Sequence, residues 1–225
     1  MAPGDAERRG AAEAGGEWIV KTKKGKADMA PVRLFANRAA WDAWLEKNHR
    51  KSEALWLRLA KKGSGNRSVT YAEALEVALA YGWIDGQKRP ESELAWLQRF
   101  LPRGARSIWS KINREKALAL IASGQMKAAG LEAVKLARKS GRWESAYDSP
   151  KGAVVPADFQ AALDASPRAG EFFQELDRAN RYAVLFRIQT VKKPETRARK
   201  IVEFVAMLER GERIHESRGA KRSSK

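Results

Sequence analysis

The sequence predicts an α+β fold: a small antiparallel sheet with packed helices in the N-terminal half, followed by an all-helical C-terminal half. Two patterns and one set of punctuation marks predict it. Short apolar runs of strand length occupy the stretch before Ser107. From Ser107 onward the apolar residues recur at helical spacing. Capping residues, first-turn prolines and glycine stops stand where those helices should begin and end.

Taken in order, PVRLFA (31–36) reads as a short strand, and Asn37 then caps a helix carrying Trp41, Trp44 and Leu45 on one face. EALWLRLAKK alternates, with Leu55, Leu57 and Leu59 on one side and Trp56, Arg58 and Ala60 on the other. The turn GSGNRS leads to Thr70-Tyr71-Ala72-Glu73, a capping-box pattern, and Gly82 ends that helix. WIDGQK and LAWLQRFL read as an antiparallel pair. One helix then runs from Ser107 to Ser123 with Gly124 as its stop, and a second covers roughly 127–140 before Gly141. Pro156 and Pro167 fit first turns, and Asn180 suits an N-cap. Pro194 opens a last helix whose buried stripe would be Ile201, Val202, Val205 and Leu208, ending at Gly211. This divides the chain into an arm without structure (1–30), an α+β domain (31–150), a helical region (151–213) and a basic tail (214–225), with a soft boundary in DSPKGAVVPAD.

Composition narrows the chemistry. With 225 residues, 44% of them hydrophobic, and eight tryptophans, the chain has ample material for a core. It has no cysteine, which removes disulfides, thiolate nucleophiles and thiolate zinc sites. His49 and His215 are the only histidines, so neither a multi-histidine metal centre nor a histidine triad is expected, and no cofactor is implied. His49 follows Asn48 at a helix end, where capping explains it. The start MAPGDAERRG lacks a secretory h-region and no apolar run is long enough for a span, so the expected location is cytoplasmic. The formal net charge is +17, and residues 31–150 alone hold 22 basic against 12 acidic residues. Such a field attracts an anionic small molecule, a phosphorylated ligand or nucleic acid.

Several runs resemble a known family. WDAWLEKNH, LWLRLAKKGSG, TYAEALEVALAYGWIDGQK, RFLPRGARSIWSKINREKALALIASGQMKAAGLEAVKLARKSGRW and KKPETRARKIVEFVAMLERGERI occur in the order found in the YdeI/OmpD-associated family. This is also called the bacteriocin-protection or OmdA family, and the resemblance spans about 33–213. It implies a link to protection against bacteriocins or cationic antimicrobial peptides and to an outer-membrane porin, with no established reaction or catalytic residue. The family has been described as periplasmic, and the missing export signal departs from that. A chain of charge +17 is also ill suited to capturing cationic peptides by charge alone.

The candidate ligand site lies in two neighbouring stretches. Two-residue alternation in WIDGQK places Trp83, Asp85 and Gln87 on one face, within reach of Arg99 or Arg103 from the paired strand. In RFLPRGARSIWS, Pro102 and Gly104 break the strand, and Ser107 or Ser110 would cap the next helix. Arg103 and Arg106 would stand by the free amides of that helix start, an arrangement that suits phosphate or carboxylate, with Trp109 and Asn113 alongside. The alternative is an ordinary cap with solvated arginines, Trp109 in the core, and Asp85 neutralising an arginine. A secondary basic loop holds Lys61, Lys62 and Arg67, without P-loop spacing. Three functions follow: non-catalytic binding of an anionic ligand, an enzyme with Asp85 as acid or base and Arg103 as anion anchor, or non-specific nucleic-acid binding through dispersed cations such as Arg197 and Lys200. The enzyme requires Asp85 in a closed cleft. Oligomeric state is left open by the sequence.

Overall fold

The computed structural model describes residues 17–20 and 30–216. They belong to two compact units, one reaching to Ser107 and including Glu115–Lys139, the other comprising Ile108–Arg114 and the chain from Ser140 onward. The expected soft boundary at 148–158 lies inside the second unit.

In the first unit, Asn37 starts helix α1 (Arg38–Asn48), its Oδ1 accepting from the Ala40 amide at 2.9 Å. The preceding strand β2 (Val32–Phe35) and the following strand β3 (Leu55–Ala60) are therefore joined through a helix, and they pair in parallel. The other pairings are antiparallel, including the hairpin of β4 (Trp83–Pro90) with β5 (Ala95–Pro102), and the order is β1-β2-β3-β5-β4. The α+β class stands, and the sheet is mixed because of that one helical crossover. Strand β1 is Glu17–Val20, at the edge beside β2. The arm expected over 1–30 thus contains a paired strand; its other residues, Ala30 apart, lie outside the described ones. Helix α2 (Tyr71–Ala80) begins with both halves of the Thr70–Glu73 capping box and stops at Gly82, whose φ is +71°.

Aromatic rings fill the space between this sheet and its helices. Trp41 stacks on Trp44 at 5.4 Å, meets Phe100 of β5 at 5.7 Å, and receives the edge of Trp83 from β4 at 6.4 Å. Both buried indole N–H groups are satisfied: Trp41 donates to the Ala74 carbonyl and Trp83 to the His49 carbonyl, each at 3.1 Å. His49 is the C-cap of α1, and its amide donates to the Leu45 carbonyl at 2.8 Å. Helices α3 (Lys111–Ala122) and α4 (Ala128–Lys139) follow, and α4 approaches the end of α2 closely at Gly130.

The second unit is helical: α5 (Ala157–Asp164), α6 (Pro167–Glu175), α7 (Arg178–Gln189) and α8 (Pro194–Glu209). Its core joins Phe159, Phe173, Val184, Ile188, Phe204 and Leu208. Three local expectations change here. Asp177, not Asn180, caps α7, because its Oδ1 accepts from the Asn180 amide at 2.8 Å. On α8, Phe204 takes the buried place expected of Val202, which is 67% exposed. Within the expected basic tail (214–225), Ile214 packs against the core, and residues 217–225 lie outside the described ones.

A side chain at Gly130 would meet backbone: an added Cβ lies 2.9 Å from the Leu79 carbonyl oxygen and closer still to that of Ala80. Gly130→Ala is expected to lower stability in urea denaturation by about 1–3 kcal/mol. Gly104→Ala, whose Cβ would meet only Ser107 Oγ at 3.8 Å, should stay within about 0.5 kcal/mol of wild type.

Candidate functional site

Strands β4 and β5 set where the candidate residues point. Trp83 is 1% exposed and belongs to the aromatic core, so it lines no open site. Asp85 pairs across the sheet with Phe100, which places Asp85 on the face of Trp41 and α2. There its carboxylate accepts from the Tyr71 hydroxyl at 2.8 Å, in an exposed hydrogen bond on an edge strand. The closed cleft that acid–base work by Asp85 requires is not what surrounds it. Arg99, one residue before Phe100, projects to the opposite face and donates to Gln87 Oε1 at 3.2 Å. The expected Arg99–Asp85 pair is therefore replaced by Arg99–Gln87. Arg103 is half-buried beyond the strand end, its amide donating to the Gly82 carbonyl at 2.9 Å.

The physical reason is a bulge. The β4–β5 register shifts between Asp85 and Lys88, so Asp85 and Gln87 cease to share a face. Gln98, only 3% exposed, holds the irregularity in place: its Nε2 lies 2.9 Å from the Gly86 oxygen, 3.2 Å from that of Gln87 and 3.3 Å from that of Arg99. Simple alternation passes over this buried amide.

The helix start expected beside Arg103 and Arg106 is also built differently. Arg106 and Ser107 lie in a turn, the Ser107 amide donating to the Gly104 carbonyl at 2.9 Å, and Ser107 does not cap α3. Ser110 does, accepting from the Asn113 amide at 3.1 Å on Oγ and from the Arg114 amide at 2.9 Å on its carbonyl. The Lys111 amide donates to the Tyr147 carbonyl at 2.9 Å. Three of the first four amides of α3 thus already have protein acceptors, which leaves little for an anion. Trp109, 3% exposed, packs edge-on against Trp143 at 4.9 Å, and Asn113 is buried in the same unit. The nine candidate residues therefore do not form one pocket: Trp83, Asp85, Arg99, Arg103, Arg106 and Ser107 belong to the first unit, and Trp109, Ser110 and Asn113 to the second.

What the sheet does assemble is an arginine face. Leu97 on β5 pairs with Arg58 on β3 and with Arg89 on β4, so all three share a face, and Arg99 and Trp56 form the next cross-strand pair on that face. The Arg89 guanidinium lies 3.9 Å from the Trp56 ring centroid, a cation–π stack. Arg58 donates to Glu91 Oε1 at 2.5 Å. Stacking on an indole fixes the plane of a guanidinium, a group whose fork geometry matches phosphate and carboxylate. The signal for this face was present in the alternation of Trp56 and Arg58; the strand pairing brings Arg89 and Arg99 to it.

Other charged groups are used differently. Lys61, Lys62 and Arg67 stand exposed around the turn at Gly63 and Gly65. Glu76 on α2 accepts from Arg38 at 3.0 Å and Lys116 at 3.1 Å. Burial works against its ionisation, but those two cations hold its carboxyl below the usual range. Beside them Tyr81 is pushed up to about 12 by burial, then by Asp42 and Glu46, so it stays protonated at neutral pH. Arg197 binds Asp158 at 2.6 and 2.9 Å and the Ile188 carbonyl at 2.7 Å, which makes it a tie between helices. Among the described residues, no group of three or more His, Asp or Glu side chains is placed to hold a metal ion.

Residues 153–211 match the family model described as Bacteriocin-protection, YdeI or OmpD-Associated, the family the sequence resembles. Residues 33–133 match a separate model, described as a domain of unknown function (DUF8412). The resemblance read over 33–213 is thus carried by that family's model only in the helical segment, and both GWID and RFLPRGARSIWS fall in the other match. No curated protein and no solved structure matches the chain.

Two outcomes test this geometry. Gln98→Leu removes the donor for the bulge carbonyls and is expected to cost about 1–3 kcal/mol of stability, read in denaturant, with Arg99 losing its hold on the sheet face. In the second unit, burial disfavours charge on Asp148, but hydrogen bonds from Lys111 and Gln189 hold its carboxyl below the usual range. A lowered folded-state pKa adds stability above the unfolded carboxylate pKa and loses it as pH falls through the folded value. Asp148→Asn should therefore cost about 1–2 kcal/mol at pH 7, allowing for the half-exposed Lys111 partner. The gap from wild type should narrow below pH about 4, as unfolding curves across pH will record.

Proposed function

We propose that this chain, whose residues 153–211 are a domain of the bacteriocin-protection, YdeI or OmpD-associated family, is a non-catalytic binding protein for a small anionic ligand, acting in the stress-protection setting the family description names. One observation supports this above the rest: Arg58, Arg89 and Arg99 from three adjacent strands share a sheet face around Trp56. This is a basic face packed over the buried ring of Trp56, displaced from the residues first expected to form it but retaining Arg99. Arg58 is paired with Glu91, while the guanidinium chemistry of Arg89 and Arg99 suits a phosphate or carboxylate group, and the +17 charge of the chain favours the encounter. The reading without catalysis is favoured because Asp85 and the arginines occupy opposite faces of the sheet, so acid and anion anchor do not meet over one substrate.

The test is a thermal-shift and calorimetric titration with inorganic pyrophosphate and sugar phosphates. Replacing Arg89 and Arg99 by alanine should weaken binding about 10- to 100-fold, the loss expected for charge-assisted hydrogen bonds. The triple change Lys61→Ala, Lys62→Ala, Arg67→Ala removes more charge yet should leave binding near wild type. If binding follows total charge regardless of position and falls steeply with salt, the chain is a non-specific polyanion binder. Retained binding in the Arg89/Arg99 variant would overturn the assignment.

A further inference from the structure

The second unit contains a groove that the arginine face does not explain. It has a volume of about 740 Å³ and is lined by one stripe of α7: Arg178, Ala179, Tyr182, Ala183, Phe186 and Arg187, with Pro150 and His215 as walls. The opposite stripe of α7, including Val184, Leu185 and Ile188, is committed to the helical core. The groove therefore runs along the helix for roughly 13 Å, from residue 178 to residue 187 at 1.5 Å per residue. Ala179 and Ala183 hollow it out, and the rings of Tyr182 and Phe186 bound the hollow.

Three details set the chemistry of what fits. Tyr182 has its polar end engaged, its hydroxyl donating to the Asp148 carbonyl at 2.9 Å, so what the ring offers a ligand in the groove is hydrocarbon. Arg178 and Arg187 stand at the two ends, and no acidic residue is among the lining side chains. His215 is held at the wall by a buried side chain: Asn180, 1% exposed, accepts from the His215 amide at 2.8 Å and donates to its carbonyl at 3.1 Å. A backbone segment clamped in both directions by one buried amide makes the wall a fixed part of the groove.

We infer that this groove binds a single anionic amphiphile, an extended hydrocarbon chain or flat ring system ending in a carboxylate or sulfate. The apolar floor takes the hydrocarbon, and the terminal arginines take the anion. Cationic amphiphiles of the same shape are excluded by the same two arginines. This site shares no residue with the sheet face, and its test is independent of that reading.

The experiment is isothermal titration calorimetry of the full chain with dodecanoate below its micelle-forming concentration. Binding is expected at one site, with affinity rising about fourfold for each methylene added from octanoate upward. Dodecyltrimethylammonium should bind at least tenfold more weakly. Ala179→Trp, at an exposed position, should fill the hollow and abolish binding, and Arg178→Glu with Arg187→Glu should invert the preference between the two head groups. Circular dichroism and an unchanged thermal unfolding midpoint would show that each variant is folded. No binding of monomeric dodecanoate, equal affinity for both head groups, undiminished binding by a folded Ala179→Trp variant, or binding only to anionic phospholipid vesicles would each overturn the inference.

Discussion

In the first unit the indole of Trp41 is the constraint on which the other contacts depend. Its ring stacks on Trp44 within α1, meets Phe100 of the sheet, and takes the edge of Trp83, while its N–H reaches the Ala74 carbonyl of α2. One side chain thus fixes a helix against a second helix and a sheet. The geometry is specific because a buried indole N–H without an acceptor costs about 1–3 kcal/mol, so the ring cannot rotate to an alternative packing without losing its partner. Trp83 repeats the device toward the His49 carbonyl. The two indoles pin the end of α1 to the start of β4, and β4 is where the functional question lies.

From that fixed start, the bulge decides which face each β4 side chain serves. Without it, Gln87 would follow Trp83 and Asp85 to the helix-facing side. With Gln98 satisfying the bulge carbonyls, Gln87 meets Arg99, and Arg89 reaches Trp56 on the opposite face. A buried amide therefore organises the half-buried arginines of the opposite face. The Arg89–Trp56 stack and the Arg99–Gln87 bond both orient guanidinium groups, which reduces the rotamer entropy an anion would otherwise have to quench.

Local patterns carried much of the fold. Asn37, the Thr70–Glu73 box and Gly82 were readable because each acts through its immediate neighbours, and the Trp41–Trp44–Leu45 stripe followed from helical spacing. The parallel β2–β3 pairing, the Gln98-filled bulge and the Ser110–Tyr147 bridge were not, since each joins segments whose proximity local rules do not encode. The candidate site suffered most from this. Alternation assigned Asp85 and Gln87 to one face, and a single extra residue in the strand undid it. Asn180 looks like a cap from its residue type, yet Asp177 does that work and Asn180 is free to grip a segment 35 residues away.

The two surfaces also divide along the lines of what the chain resembles. Every arginine of the sheet face lies within 33–133, whereas the groove is built on α7, within 153–211. Its walls are another matter: Pro150 precedes the matched segment and His215 follows it. The helix supplies a floor that falls within the segment matched by that family's model, and flanking residues close it. A chain keeping the α7 stripe without an Asn180-type clamp on its C-terminal segment would retain the apolar floor but lose one wall. Ligand preference at such a groove is then set by the sequence flanking the domain as much as by the domain itself.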